Sequence, residues 1–214
     1  MKLYNFFRSS ASYRVRIALN LKGLQYEYQA IHLRHGGGEQ YTPAYKAINP
    51  HSLLPALEDN GRVLTQSLAI IEYLEEKHPT PPLLPGDLAD RATVRAMAMT
   101  VACEVHPIQN LRVLNYLKNT LGHSEEETQA WCQHWIEIGL TALEHMVQSV
   151  PDHNNFCFGD TPTIADLCLV PQLYNARRFG CDLSPFPTLV EIDETCRILP
   201  AFANAAPEKQ PDME

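Results

Sequence analysis

The chain has 214 residues, of which 45% are hydrophobic and 20% charged, and its formal net charge at pH 7 is −8. These values are typical of a globular protein with one large domain or two modest ones. The acidic balance argues against nucleic-acid binding, because phosphate backbones are bound by clustered lysines and arginines. It also means that an anionic small substrate has to be attracted by local arginines.

The sequence predicts a cytoplasmic protein that does not enter a membrane, because it has no run of 18 uncharged apolar residues and no signal peptide. None of the six cysteines forms a C-x-x-C pair, which predicts buried free thiols in a reducing compartment. His32 and His35 flank a glycine loop and are expected to face solvent. With no metal-ligand spacing present, we expect no metal site.

The first half of the chain predicts a βαβ unit. Residues 2–6 form a short apolar run, residues 12–22 carry apolar side chains at helical spacing before Gly23, and residues 26–33 alternate as a strand does. A strand, a helix and a second strand in this order imply a parallel pair.

A short helix near residues 43–48 and a hairpin follow. Asn60-Gly61 between two apolar runs is a strong hairpin signal. Ser67, directly after Gln66, is predicted to be the N-cap of the next helix.

The second half predicts a helical domain. Residues 79–87 hold four of the sixteen prolines, which neither a helix nor a sheet accommodates. This predicts three segments: a domain at 1–80, a linker at 81–87 and a helical domain at 88–214. Long helical patterns occupy 88–121 and 124–149.

Two capping boxes are predicted within the helical half. Ser124 with Glu127, and Thr163 with Asp166, have the spacing at which two residues satisfy each other's backbone N–H groups. The acidic tail at 207–214 is expected to fray.

The first candidate site is Arg8-Ser9-Ser10-Ala11-Ser12, between strand one and helix one. A helix N-terminus offers free N–H groups and the positive end of the dipole, and a thiolate is stabilised by both. A serine hydroxyl placed there can donate a hydrogen bond to the same anion. The alternative is that these serines only cap the helix.

The second candidate site combines Leu54-Pro55 with Gln66-Ser67. Pro55, just before the hairpin, is predicted to follow a cis peptide bond, which leaves the Leu54 backbone facing a cleft, where an extended peptide can pair with it. Gln66 and Ser67, at a helix start, can hold a carboxylate. The alternative is a turn proline and an ordinary cap.

Taken together, these features resemble the glutathione transferase fold: an α/β thioredoxin-like N-terminal domain followed by an all-α C-terminal domain. The resemblance covers nearly the whole chain and is closest to the zeta class, which includes maleylacetoacetate isomerase. The first stretch is similar to the class signature S-S-C-x-[WH]-R-V-R. The similar stretches are Arg8 to Arg16, Gln66 to Glu76, Asp166 to Gln172, and Gln210-Pro211-Asp212.

The resemblance implies glutathione as cofactor, a maleyl dicarboxylic acid as substrate and a homodimer. It implies that Ser9 supports the thiolate, with Ser10 as the second candidate for this task, and that Arg8 and Arg178 bind the substrate's carboxylates. The implied glutathione-binding residues are Ser9, Ser10, Ser12, Gln40, Leu54, Pro55, Gln66, Ser67, His106, Asn110 and Leu111.

The sequence departs from the class pattern in ways that leave the substrate open. Ala11 replaces the signature cysteine, which is not the expected nucleophile because the reactive sulfur belongs to glutathione. His106 stands where many zeta members have glutamine. Histidine at this position is also found in bacterial maleylpyruvate isomerases, but those often carry arginine where Leu111 stands. Maleylacetoacetate is the first expectation. Maleylpyruvate isomerisation, glutathione conjugation and a non-catalytic binding module are the alternatives.

Overall fold

The computed structural model describes residues 1–151 and 154–214. Contacts divide the chain into two units, one made of Met1–Leu83 with Ile198–Glu214 and the other of Leu84–Arg197. No helix among the described residues is long and apolar enough to cross a membrane.

The regular elements carry the following labels in chain order. The strands are β1 Lys2–Asn5, β2 Glu27–Ala30, β3 Ala56–Asp59 and β4 Arg62–Thr65. The helices are α1 Ser10–Leu21, α2 Pro43–Ile48, α3 Ser67–Lys77, α4 Leu88–Met99, α5 Leu111–Asn119, α6 Glu125–Gln148, α7 Ile164–Arg178, α8 Pro187–Arg197 and α9 Pro200–Ala203.

The first unit is built on a four-stranded sheet in the order β2-β1-β3-β4. Strands β1 and β2 are parallel, whereas β3 is antiparallel to both β1 and β4, so the predicted parallel pair and hairpin are confirmed. Helices α1 and α3 pack against each other. The unit's core includes Val15, Leu19, Leu57, Ile70 and Leu74, which are fully buried.

The C-terminal segment corrects two expectations, because residues 198–214 belong with the sheet unit rather than with the helical domain predicted at 88–214. Asn20 Nδ2 donates to the carbonyl of Ala201 at 2.9 Å. Asp212 accepts from the backbone N–H of Phe7 at 3.0 Å and from the Tyr28 hydroxyl. Because the tail satisfies these groups, it is anchored where fraying was expected.

The second unit is helical, and both predicted capping boxes are present at the starts of α6 and α7. The predicted continuous helix at 88–121 is wrong. Helix α4 gives way to a wider π-helical turn at Thr100–Val105 and then to a 3₁₀ turn at His106–Gln109 before α5 begins. Pro107 in the 3₁₀ turn has no N–H to donate, which breaks the helical ladder.

Gly139 allows α6 to approach the π-helical turn closely. A Cβ at this position would lie 2.0 Å from Cγ2 of Val105. Any side chain there would therefore push the turn away from α6, and with it the adjoining His106–Gln109 turn.

The cysteines agree with the expectation of mostly buried thiols. Four are buried, Cys181 is half-buried and Cys103 is exposed. Burial raises the pKa of Cys132 and of Cys181 to about 11, so both remain protonated near neutral pH.

We predict that Asp166→Ala will destabilise the protein far more than Glu127→Ala, although both residues close a capping box. Asp166 is fully buried and accepts from the N–H groups of Cys157 and Thr163 at 2.8 and 2.7 Å. Its removal leaves two buried donors unsatisfied, at about 1–3 kcal/mol each. Glu127 is exposed, so water replaces it. Thermal or urea unfolding of both variants measures the difference, and equal losses would contradict the prediction.

Candidate functional site

The junction between β1 and α1 places Ser9 at the helix start. Ser9 is the N-cap of α1, and its Oγ accepts from the backbone N–H of Ser12 at 3.2 Å. Ser9 therefore does cap the helix. This capping leaves the Ser9 hydroxyl proton able to donate, because the cap uses only the oxygen's acceptor capacity.

The neighbours of Ser9 differ in their exposure. Ser10 and Ala11 are buried in the first turn of α1, so the residue at the signature-cysteine position packs against the protein. Ser12 is fully buried, and its Oγ has no hydrogen-bond partner among the described residues. It was expected to lie on a cleft surface, and its burial contradicts that expectation. Arg8 is half-buried, with its guanidinium 5.5 Å from the centre of the Phe7 ring.

Two buried arginines that follow the serines shape this junction, a role that the sequence did not reveal. Arg16 is fully buried and donates to the carbonyls of Phe6 at 3.3 Å and Phe7 at 2.8 Å. Arg14 Nη1 donates to Ser67 Oγ at 3.2 Å. Arg14 thereby links α1 to the start of α3, the second predicted anion-binding helix end.

The Leu54–Pro55 peptide bond is cis, as predicted. The preceding carbonyl, that of Leu53, accepts from Tyr45 Oη and Asn49 Nδ2, both at 2.8 Å. In the described part of the chain, neither the N–H nor the C=O of Leu54 takes part in a hydrogen bond. Leu54 thus offers one donor and one acceptor to an extended peptide.

Helix α3 begins at Ser67, so the prediction of Ser67 as N-cap is wrong by one residue. The cap is Gln66, whose φ of 69° lies in the region that non-glycine residues rarely adopt. No side chain of the described residues caps this helix, and its first turn has no acidic residue. Its N–H groups therefore remain available to an anion.

Gln40 is buried in a 3₁₀ turn at Glu39–Tyr41. Its Nε2 donates to the carbonyl of Leu33 at 3.4 Å, and its Oε1 has no partner among the described residues. A Cβ on Gly38 would lie 2.6 Å from Gln40 Nε2, so glycine there leaves room for this side chain.

His32 and His35 are not the solvent-facing pair that was expected, because His32 is buried and the two rings stack at 3.4 Å. Glu214 Oε1 lies 2.6 Å from His32 Nε2 and 3.0 Å from His35 Nε2. His32 Nδ1 accepts from two backbone N–H groups, so the neutral ring carries its proton on Nε2. That tautomer suits a contact with a carboxylate better than a metal ion.

The helical unit carries the remaining predicted cofactor residues between the π-helical turn and α5. His106, which is half-buried, begins the 3₁₀ turn. Asn110 is the N-cap of α5, with Oδ1 accepting from the Arg112 N–H at 3.2 Å, and Leu111 is the first residue of that helix.

Arg177 and Arg178, at the end of α7, have different partners. Arg177 Nη2 lies 2.7 Å from Oδ2 of the buried Asp193. Burial raises the pKa of Asp193, and Arg177 partly offsets that rise. Arg178 instead donates to Asn175 Oδ1 and stacks on the Phe179 ring at 4.3 Å. Arg177 is thus a structural ion pair, whereas Arg178 is held by a neutral amide.

The chain is similar to known proteins along nearly its whole length. Residues 3–82 match the family model described as "Glutathione S-transferase, N-terminal domain". The chain is 52% identical to maleylpyruvate isomerase of a Ralstonia species over 99% of both chains. It is 47% identical to maleylacetoacetate isomerase of Pseudomonas aeruginosa, over 99% of this chain and 98% of that protein.

A solved structure is also similar along its whole length. It is maleylacetoacetate isomerase of Methylobacterium extorquens with bound malonate and glutathione, which is 40% identical with a TM-score of 0.96 and full coverage of both chains. The thioredoxin-like sheet, the helical second unit and these identities lead to one conclusion: this chain belongs to the glutathione transferase family, in the zeta class that contains the maleylacetoacetate and maleylpyruvate isomerases.

Proposed function

We propose that this protein is a glutathione-dependent cis–trans isomerase of a maleyl dicarboxylic acid. The observation that carries the proposal is that each unit presents groups that stabilise a negative charge. The sheet unit has two helix starts without acidic residues in the first turn, and its Leu54 backbone makes no hydrogen bond within the described part of the chain. The helical unit has an arginine fork at the end of α7.

The residues of the sheet unit fit glutathione as the cofactor. An extended tripeptide can pair with the N–H and C=O of Leu54, next to the cis bond at Pro55. Its γ-glutamyl carboxylate suits the uncapped start of α3 at Gln66 and Ser67. The unsatisfied Oε1 of Gln40 is an acceptor for an N–H group.

Bound glutathione would supply a thiolate that adds to the conjugated double bond, which then rotates as a single bond before the same thiolate leaves. Ser9 supports that thiolate with its hydroxyl proton. Lowering a thiol pKa by about two units requires ~2.7 kcal/mol. A hydrogen bond to an ion contributes about 1.5–3 kcal/mol and a helix end about 0.3–1 kcal/mol, which together are sufficient.

Arg8 and Arg178 are assigned to the substrate's carboxylates and to the enolate that develops on its carbonyl. The chain has a net charge of −8, so an anionic substrate depends on local cations. Arginine suits this task because its planar fork binds a carboxylate through two hydrogen bonds. We further propose a cytoplasmic homodimer with no nucleic-acid or membrane partner.

Maleylacetoacetate is the first candidate substrate and maleylpyruvate the second, which is supported by the 52% identity to a maleylpyruvate isomerase. The purified protein should convert one of these acids to its trans isomer only when glutathione is present, without net consumption of the thiol. Absorbance of both acids and titration of free thiol measure this. Stoichiometric loss of glutathione would indicate a conjugating transferase, and glutathione binding without turnover would indicate a binding module.

We predict that Ser9→Ala will lower kcat/KM about tenfold to a hundredfold, the loss expected for one hydrogen bond to an ion. It should also raise the pKa of the bound glutathione thiol, measured by thiolate absorbance against pH. Loss of the cap costs about 1 kcal/mol of stability. Ser124→Ala, which removes the equivalent cap of α6, is the matched control and should leave turnover unchanged. If neither Ser9→Ala nor Ser10→Ala changes the thiol pKa, the hydroxyl has no part in the mechanism.

We predict that Arg178→Ala will raise KM for the maleyl acid at least tenfold, while glutathione affinity stays within about twofold. Arg178→Lys should be intermediate, because it keeps the charge but not the fork. Arg177→Ala is the control. It should lower stability by about 1–3 kcal/mol by leaving Asp193 buried without its closest cation, yet leave KM unchanged. A kcat/KM for Arg178→Ala within about twofold of wild type would transfer the role to Arg8.

A further inference from the structure

A line of buried amides leads to Arg178 within the helical unit. Arg178 Nε and Nη2 donate to Asn175 Oδ1 at 3.2 and 2.6 Å. Asn175 Nδ2 donates to Gln109 Oε1 at 2.7 Å, and Gln109 Nε2 donates to Gln172 Oε1 at 2.9 Å. We propose that Asn175, held in place by Gln109, is a positioning residue that orients the Arg178 guanidinium for a dicarboxylate. This inference rests on the function proposed above.

All the bonds of this line run in one direction. Each amide accepts through its oxygen from the preceding member and donates through its nitrogen to the next. If the Asn175 amide turned over, its Nδ2 would face the guanidinium, donor against donor, and its oxygen would face Gln109 Oε1. Gln109 therefore selects the one orientation of Asn175 that accepts from Arg178.

The line is anchored on two separate elements. Asn175 is buried on α7, and Gln109 is buried in the 3₁₀ turn before α5. Trp131 Nε1 holds that turn by donating to the carbonyl of Ile108 at 2.8 Å. An arginine side chain has about 2 kcal/mol of rotamer entropy to lose, and part of this loss occurs before substrate binds when its fork is already held.

At the far end of the line, Gln172 has a buried unsatisfied donor, whose free-energy cost packing alone does not explain. Gln172 is fully buried, and its Nε2 has no hydrogen-bond partner among the described residues. An apolar side chain would avoid a buried unsatisfied donor, which costs about 1–3 kcal/mol. The contribution of this glutamine is its Oε1, which accepts from Gln109 Nε2 and so orients Gln109.

The chemical type of the residue at 175 also matters. An aspartate would hold the fork equally well, but it would place a negative charge where the substrate's carboxylate has to be attracted. An amide orients the guanidinium without neutralising it. Arg177, one residue earlier, is instead paired with a carboxylate, that of Asp193, which offsets its charge.

The test compares variants of the full chain by two measurements. The first is malonate affinity with saturating glutathione, measured by calorimetry. The second is the Nε–H signal of Arg178 in protein labelled with ¹⁵N-arginine, whose protection from exchange reports whether the fork is held. The variants are Asn175→Leu, Asn175→Asp, Gln109→Leu and Arg178→Ala, with Arg177→Ala as the control for lost stability.

We expect Asn175→Leu to weaken malonate binding about tenfold and to abolish the Nε–H protection. Gln109→Leu should act in the same direction, and it tests the proposal by itself if Asn175→Leu does not fold. Asn175→Asp should keep the protection but still weaken binding. Adding Asn175→Leu to Arg178→Ala should cause no further loss, because the amide acts through the arginine.

Two results would overturn the proposal: malonate affinity within about twofold of wild type in both Leu variants, or losses that multiply in the double variant. Arg177→Ala should bind malonate as wild type does. If wild type neither binds malonate nor isomerises a maleyl acid, the proposed function fails. The Nε–H signal then decides by itself whether Asn175 holds the fork.

Discussion

The sheet unit depends on the buried guanidinium of Arg16. It donates to the carbonyls of Phe6, Phe7 and Ala205 and to Asn5 Oδ1, all between 2.8 and 3.3 Å. Burial lowers its pKa, and charge-assisted bonds to carbonyls are the means by which a buried cation is tolerated. These bonds tie the end of β1, the start of α1 and the C-terminal segment together, so Ser9 is positioned by residues far from it in sequence.

Local patterns predicted most of the fold. The Asn60-Gly61 hairpin and the capping boxes at Ser124 and Thr163 depend on residues within four positions, and the structure contains all of them. The break of the predicted helix at 88–121 had a local signal in Pro107, which the helical periodicity obscured. No local sequence signal indicated that residues 198–214 return to the sheet unit, because this return depends on hydrogen bonds that span nearly the whole chain.

In the candidate site, too, features that depend on local sequence were predictable and those that depend on long-range contacts were not. The cis bond at Pro55 and the start of α3 beside Ser67 were predictable from neighbouring residues and the family resemblance, with an error of one residue in the cap. The bond from Arg14 to Ser67 and the amide line through Gln109 were not, because each joins elements more than fifty residues apart. Sequence patterns identify which groups are present, whereas long-range contacts decide how they are oriented.

Arg177 and Arg178 show how two adjacent cations acquire different partners. In the sequence they are adjacent cations in an acidic chain. A helix turns by about 100° per residue, so adjacent side chains reach different surroundings. Arg177 lies against the buried carboxylate of Asp193, where its positive charge offsets the negative charge of that group. Arg178 donates to the amide oxygen of Asn175, whose dipole orients the guanidinium without cancelling its charge. In the function proposed above, stability and anion recognition are therefore assigned to two neighbours according to the nature of the partner, carboxylate or amide.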